Sequence, residues 1–128
     1  MIAAGIGCRT GCAGEEIAGL VRSAFEEASI CDRTGIVLAA PERKRQEDGV
    51  HEAARLLSLP LRFIDDAAMA AAQDRTLTRS TRVEAAVGVA SVAEAAALAA
   101  AGPGARLLLP RRSTPRATCA LAISGDSA

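Results

Sequence analysis

Apolar and polar positions alternate between two rhythms along this 128-residue chain. Ile2 to Gly7 is a short apolar run that ends in glycine, the pattern of a buried strand. A glycine-rich stretch, Gly7 to Gly14, follows it. Ile17, Leu20, Val21, Ala24, Phe25 and Ala28 then recur at helical spacing and predict an amphipathic helix. Glu15 and Glu16 fall in its first turn, where the helix macrodipole favours acids. Gly35 to Ala40 predicts a second buried strand, broken by Pro41. The charged run Glu42 to Asp48 starts a second helix, with Val50, Ala53, Ala54 and Leu57 on its core face and Pro60 at its end. Leu61 to Ile64 predicts a third strand. Asp65 and Asp66 cap a third, alanine-rich helix that fades near Gln73.

The polar, Thr-rich run Asp74 to Arg82 reads as a surface loop. Ser91 and Glu94 form a capping box ahead of an alanine helix, which Gly102-Pro103-Gly104 stops. Arg106 to Leu109 and Ala117 to Ile123 predict two last strands, joined as an antiparallel hairpin by the basic loop Pro110 to Arg116. No repeat or linker interrupts the chain, so residues 1–128 are expected to form one domain. The fold class is α/β: a single three-layer α/β/α domain with a mostly parallel five-stranded sheet and an antiparallel C-terminal hairpin. In such sheets ligands sit at the carboxyl ends of the strands.

Composition narrows the function classes. Fifteen basic residues balance 15 acidic ones, which argues against a nucleic-acid binder. No stretch approaches the ~20 apolar residues of a membrane span. The N-terminus lacks the pattern of a signal peptide, and a cytoplasmic location with reduced thiols is expected. The four cysteines, Cys8, Cys12, Cys31 and Cys119, form no C-x-x-C pair. No Cys or His cluster has zinc spacing, so no metal centre is expected. All basic residues but Lys44 are Arg, whose forked guanidinium suits carboxylates and phosphates.

The loop GIGCRTGCAG, Gly5 to Gly14, is the most informative local feature. Its glycines allow backbone N–H groups to approach an anion at a helix N-terminus. They also suit a plain tight turn between strand and helix. The spacing G-x-G-x-x-x-G is one residue longer than the dinucleotide fingerprint, and no Gly-Lys-Ser/Thr follows, so a nucleotide-binding domain is disfavoured. Arg9 is placed to clamp a carboxylate, or else is a solvated loop charge or a partner for Glu15 or Glu16. Cys8 and Cys12 lack an adjacent base and read as packing thiols. His51 shares a helical stripe with Glu47 and Arg55, the pattern of a solvated face. Gly88 to Ser91 offers a second helix N-terminus to a ligand. The Arg75/Arg79/Arg82 and Arg111/Arg112/Arg116 groups read as solvated surface or as the frame of an anionic pocket.

Three stretches in order carry a family likeness: GIGCRTG at Gly5 to Gly11, VGVASVAEAAAL at Val87 to Leu98, and ATCALA at Ala117 to Ala122. LAAPERKRQEDG, Leu38 to Gly49, supports them with its lysine, acidic residue and glycine. Together they resemble the CobE/CbiG C-terminal domain family of cobalamin biosynthesis. The resemblance implies the stand-alone, CobE-like form of the domain. It implies a carboxylate-rich corrinoid or precorrin intermediate as ligand, no cofactor, and other enzymes of the pathway as possible partners. An accessory or carrier role is one implied activity. A cobalt-precorrin lactone hydrolase is the other, with Glu94 or Thr118 assisting a water and Arg9 stabilising negative charge. The family's usual lysine in the last hairpin is matched here by Arg111 or Arg112. The implied ligand-binding positions are Gly5, Gly7, Cys8, Arg9, Thr10, Gly11, Lys44, Gly88, Ser91, Glu94 and Thr118.

Overall fold

The computed structural model describes residues 1–72 and 92–125. In chain order the elements are β1 (Ile2–Cys8), α1 (Gly14–Glu27), β2 (Val37–Pro41), a 3-10 turn (Glu42–Lys44), α2 (Asp48–Leu57), β3 (Leu61–Ile64), α3 (Asp66–Ala72), α4 (Val92–Ala101), β4 (Arg106–Ser113) and β5 (Ala117–Ile123). The strands form one sheet in the order β3-β2-β1-β5-β4. β1 pairs with β2 and β2 with β3 in parallel. β5 runs antiparallel to both β1 and β4. Four of these strands therefore share one direction and only β5 is reversed.

The period-two alternation of the strands divides two cores. Ala4, Ile6, Leu38, Ala40, Cys119 and Leu121 face α1 and α2, where Ile17, Val21, Phe25, Val50 and Ala53 pack on them. Ala3, Ala39 and Ala122 face α3 and α4. The three layers follow from connection handedness. The β1-α1-β2 and β2-α2-β3 units step the same way across the sheet, so right-handed crossovers put both helices on one face. The chain then returns from edge strand β3 to edge strand β4, the opposite way, which puts α3 and α4 on the other face.

Six of the ten residues of α4 are buried alanines, and the helix lies very close to the sheet. A Cβ built on Gly5 comes within 2.1 Å of the Ala93 carbonyl oxygen and 2.5 Å of the Ala97 nitrogen. The glycine is what lets helix backbone and strand backbone touch. The amino ends of α1 and α2 cross in the same way, since a Cβ on Gly49 meets the Cys12 carbonyl oxygen at 2.0 Å.

Boundaries moved where tertiary context overrode local signals. The charged run Glu42 to Asp48 does not begin α2. It makes a 3-10 turn at Glu42–Lys44, and α2 starts at Asp48. Pro41 ends β2 from within, still paired with Ile64. Asp65 caps α3 as expected, its Oδ1 accepting the Ala68 N–H at 2.8 Å. β4 continues past Pro110 to Ser113, so most of the expected basic loop is strand. β4 is an edge strand, and the register shifts between Leu109 and Arg112, so Pro110 sits in an irregularity that needs no ladder donor.

That irregularity also frees the Arg111 N–H from the ladder. The Oε2 of Glu94 accepts it at 2.9 Å. Glu94 is fully buried and thus ties α4 to the sheet edge. Asp74 to Arg82, Gly88 and Ser91 lie outside the described residues.

Candidate functional site

β1 lies between a parallel neighbour, β2, and an antiparallel one, β5. Chain direction therefore switches beside β1, and a crevice opens where its carboxyl end meets the start of β5. Gly7 and Cys8 close β1 opposite Thr118 and Ala117. With Pro41 at the end of β2, the 3-10 turn, the tip of the β4–β5 hairpin and Val92 at the start of α4, they line a cleft of about 290 Å³.

Four cationic residues line this cleft: Arg9, Arg43, Lys44 and Arg116. The lining contains no Asp or Glu among the described residues. Pro41, Val92, Pro115 and Ala117 give it apolar walls. α4 begins at this wall, and its macrodipole adds positive potential. Such a cleft attracts carboxylates to its rim and offers apolar surface between them.

The cysteine in the cleft is not an activated nucleophile. Burial pushes the Cys8 thiol above its ordinary value, with Cys12 and Glu47 adding to the rise and Lys44 opposing it in part. Cys12, at the start of the next turn, is raised as well, first by burial and then by Glu16. Thr118 directs its hydroxyl to the Gly7 carbonyl oxygen at 3.5 Å, a long contact.

The positions expected to act together divide into groups. Gly7, Cys8, Arg9, Lys44 and Thr118 do share this cleft. Gly5 serves the packing of β1 on α4. Glu94 is buried, holds Arg111, and does not line the cleft. Thr10 and Gly11 line a separate hollow of about 410 Å³ between the first loop and the start of α2. Gly88 and Ser91 lie outside the described residues.

The N–H groups of the glycine loop are met by the protein's own carboxylates. Glu47 Oε2 accepts from the Gly11 N–H at 2.5 Å, and Glu52 Oε1 accepts from the Gly14 N–H at 3.2 Å. The anion at the amino end of α1 is thus supplied from the start of α2, where the sequence suggested a ligand. The loop does call for negative charge, and an intramolecular partner provides it.

Arg9 donates its backbone N–H to the Arg116 carbonyl oxygen at 2.9 Å, which joins the first loop to the hairpin tip. Glu16 is engaged by that tip and not by the Arg9 side chain. Arg112, grouped with Arg116 by sequence, forks onto Glu27 at the end of α1. His51 is half-buried. Its Nε2 lies 2.7 Å from the Arg45 carbonyl oxygen and its ring packs on Phe63, so it is not on a purely solvated face.

Arg43, Pro41 and Thr114 were missed by sequence reasoning. The rule that ligands gather at the carboxyl ends of strands pointed to Pro41 and Arg43, which directly follow the second apolar run. Thr114 had no such signal, because the extent of β4 hid the true hairpin tip.

The cobalamin synthesis G C-terminus family matches residues 2–122. A Sinorhizobium protein named Protein CobE is 31% identical over 118 residues, covering 92% of this chain and 77% of its own length. The crystal structure of cobalamin biosynthesis protein chiG from Agrobacterium tumefaciens superposes with a TM-score of 0.77 at 39% identity, over 98% of this chain and 100% of that one. The crystal structure of CobE, described as a protein of the cobalamin (vitamin B12) biosynthetic pathway, gives 0.78 at 38% identity, over 95% and 89%. A cobalamin biosynthesis protein G homologue from Sulfolobus solfataricus shares the fold at 21% identity and a TM-score of 0.64, and this chain spans 36% of it. With the family match over residues 2–122, the identity to Protein CobE and the shared fold, the chain belongs to the CobE/CbiG family of cobalamin biosynthesis proteins, through the cobalamin synthesis G C-terminus domain.

Proposed function

We propose that the chain binds a carboxylate-edged corrinoid or precorrin intermediate of cobalamin synthesis in this cleft, in an accessory or carrier role. One observation carries the reading: Arg9, Arg43, Lys44 and Arg116 converge on a cleft whose lining has no acid among the described residues. A corrinoid of this pathway is an apolar macrocycle edged with acetate and propionate groups. The guanidinium and ammonium groups match the edge, and the Pro, Val and Ala walls match the ring. Membership in the family supplies the pathway.

The hydrolase reading has less support. It called for Glu94 or Thr118 beside a water. Glu94 is buried, accepts from the Arg111 N–H and does not line the cleft, and the Thr118 hydroxyl, which does line it, is directed to the Gly7 carbonyl oxygen at 3.5 Å. A binding role asks only for the cations and the walls.

The test is an absorbance titration of the purified protein with a hydrogenobyrinic-acid-type corrinoid, repeated with Lys44→Ala and Arg116→Ala. A saturable spectral shift is expected, with affinity falling roughly tenfold in each variant, the worth of one charge-assisted contact. Absence of any shift at tens of micromolar would sink the proposal. Product formation during the titration would move the chain to the hydrolase reading.

A further inference from the structure

Glu16 does something that its charge alone does not explain. It stands in the first turn of α1, behind the cationic cleft. Its Oε2 accepts from the Thr114 hydroxyl and from the Arg116 N–H, the latter at 3.2 Å. The Thr114 oxygen in turn accepts from the N–H groups of Arg116 at 3.3 Å and Ala117 at 3.0 Å. The Thr114 N–H closes the turn on the Ala117 carbonyl oxygen at 2.8 Å, while Arg9 holds the Arg116 carbonyl oxygen from the other side. Thr114, Pro115, Arg116 and Ala117 are four of the twelve residues lining the cleft. One carboxylate, placed outside that lining, therefore bonds directly to two residues of the hairpin lip, Thr114 and Arg116.

We infer that Glu16 is a positioning residue for anion binding: it locks the 114–117 turn so that Arg116 is presented to a ligand carboxylate. The inference rests on the binding role proposed above. Its sign sets it apart from simple electrostatics. A negative charge near a cationic cleft repels an anionic ligand, so Glu16 acting through charge alone weakens binding, and its removal tightens it. Glu16 acting through the turn has the opposite consequence. Ordering the lip before binding spares the ligand that cost.

The experiment titrates the hydrogenobyrinic-acid-type corrinoid into wild type, Glu16→Ala, Glu16→Gln, Thr114→Val and Thr114→Ser. Glu16→Ala and Thr114→Val are expected to lose roughly tenfold in affinity. Glu16→Gln, which keeps an accepting oxygen without the charge, and Thr114→Ser, which keeps the hydroxyl, are expected to bind as wild type or tighter. Thermal unfolding of each free variant identifies any that fail to fold. Amide hydrogen exchange on the free protein tests the lip without ligand: the Arg116 and Ala117 amides are expected to lose protection in Glu16→Ala and to keep it in Glu16→Gln. Equal or tighter binding by a folded Glu16→Ala overturns the inference, as does unchanged exchange at the two amides. If wild type binds nothing, the proposed function fails, and the exchange measurement still decides whether Glu16 holds the turn.

Discussion

Single side chains in this protein are governed more by what surrounds them than by their type. Cys119 is the clearest case. It lies in the middle of β5 with no exposed surface, and burial pushes its thiol up to about 12 from 9.0. An iodoacetamide time course at pH 8 is expected to modify the exposed Cys31 first and Cys119 only after denaturant is added. The shift has a consequence for stability. The unfolded chain releases the Cys119 proton at a lower pH than the folded chain does. Stability is therefore unaffected below the unfolded pKa and falls as pH rises from about 9 toward about 12. Denaturant midpoints measured across that range are expected to fall less steeply in Cys119→Ala. A parallel decline in the variant would show that other groups control alkaline unfolding.

Among the elements, the contact between β1 and α4 depends on the smallest side chain available. Gly5→Ala places a methyl group against helix backbone at two atoms, and backbone cannot yield as a side-chain end can. The expected cost is about 3 kcal/mol or more, the upper part of the overpacking range. Gly19, on the exposed face of α1, has open space for 4 Å around the position a methyl group would take. Gly19→Ala is expected to stabilise by about 0.5–1 kcal/mol, since glycine disfavours a helix interior. Denaturant melts of the two variants should shift in opposite directions. The edge strand β4 gives a second lesson at this scale. A proline that reads as a strand end is absorbed by a shift of register, and the Arg111 N–H beside it is taken by the buried Glu94. Sequence spacing alone did not reveal either partner.

For the molecule as a whole, zero formal charge conceals a segregated distribution. Glu16, Glu47 and Glu52 are engaged by backbone N–H groups of the first loop, the start of α1 and the hairpin tip. Four cations are left at the carboxyl end of the sheet. Binding of a polycarboxylate there is expected to weaken steadily as sodium chloride is raised from about 0.1 to about 1 M, because the screening length falls from about 10 Å to about 3 Å. Isothermal titration across a salt series checks it. An affinity independent of salt would assign recognition to the apolar walls instead. Among the described residues no helix is long and apolar enough to cross a membrane.

The amino-acid sequence by itself determined the element types, their order and the layered α/β plan. Periodicities of 3.6 and two are local properties, and right-handed connections then leave few ways to arrange the pieces. It also marked Arg9, Lys44 and Thr118, which line one cleft, through motifs that resemble the family's. Only the tertiary structure decided which charges gather at the cleft. Glu47 reaches Gly11 across 36 positions and Glu52 reaches Gly14 across 38. Glu16 reaches Thr114 across 98, and Arg112 reaches Glu27 across 85. Each pairing depends on two elements being brought together by the fold. A carboxylate's partner is set by distance in space, and no local pattern in the chain encodes that distance.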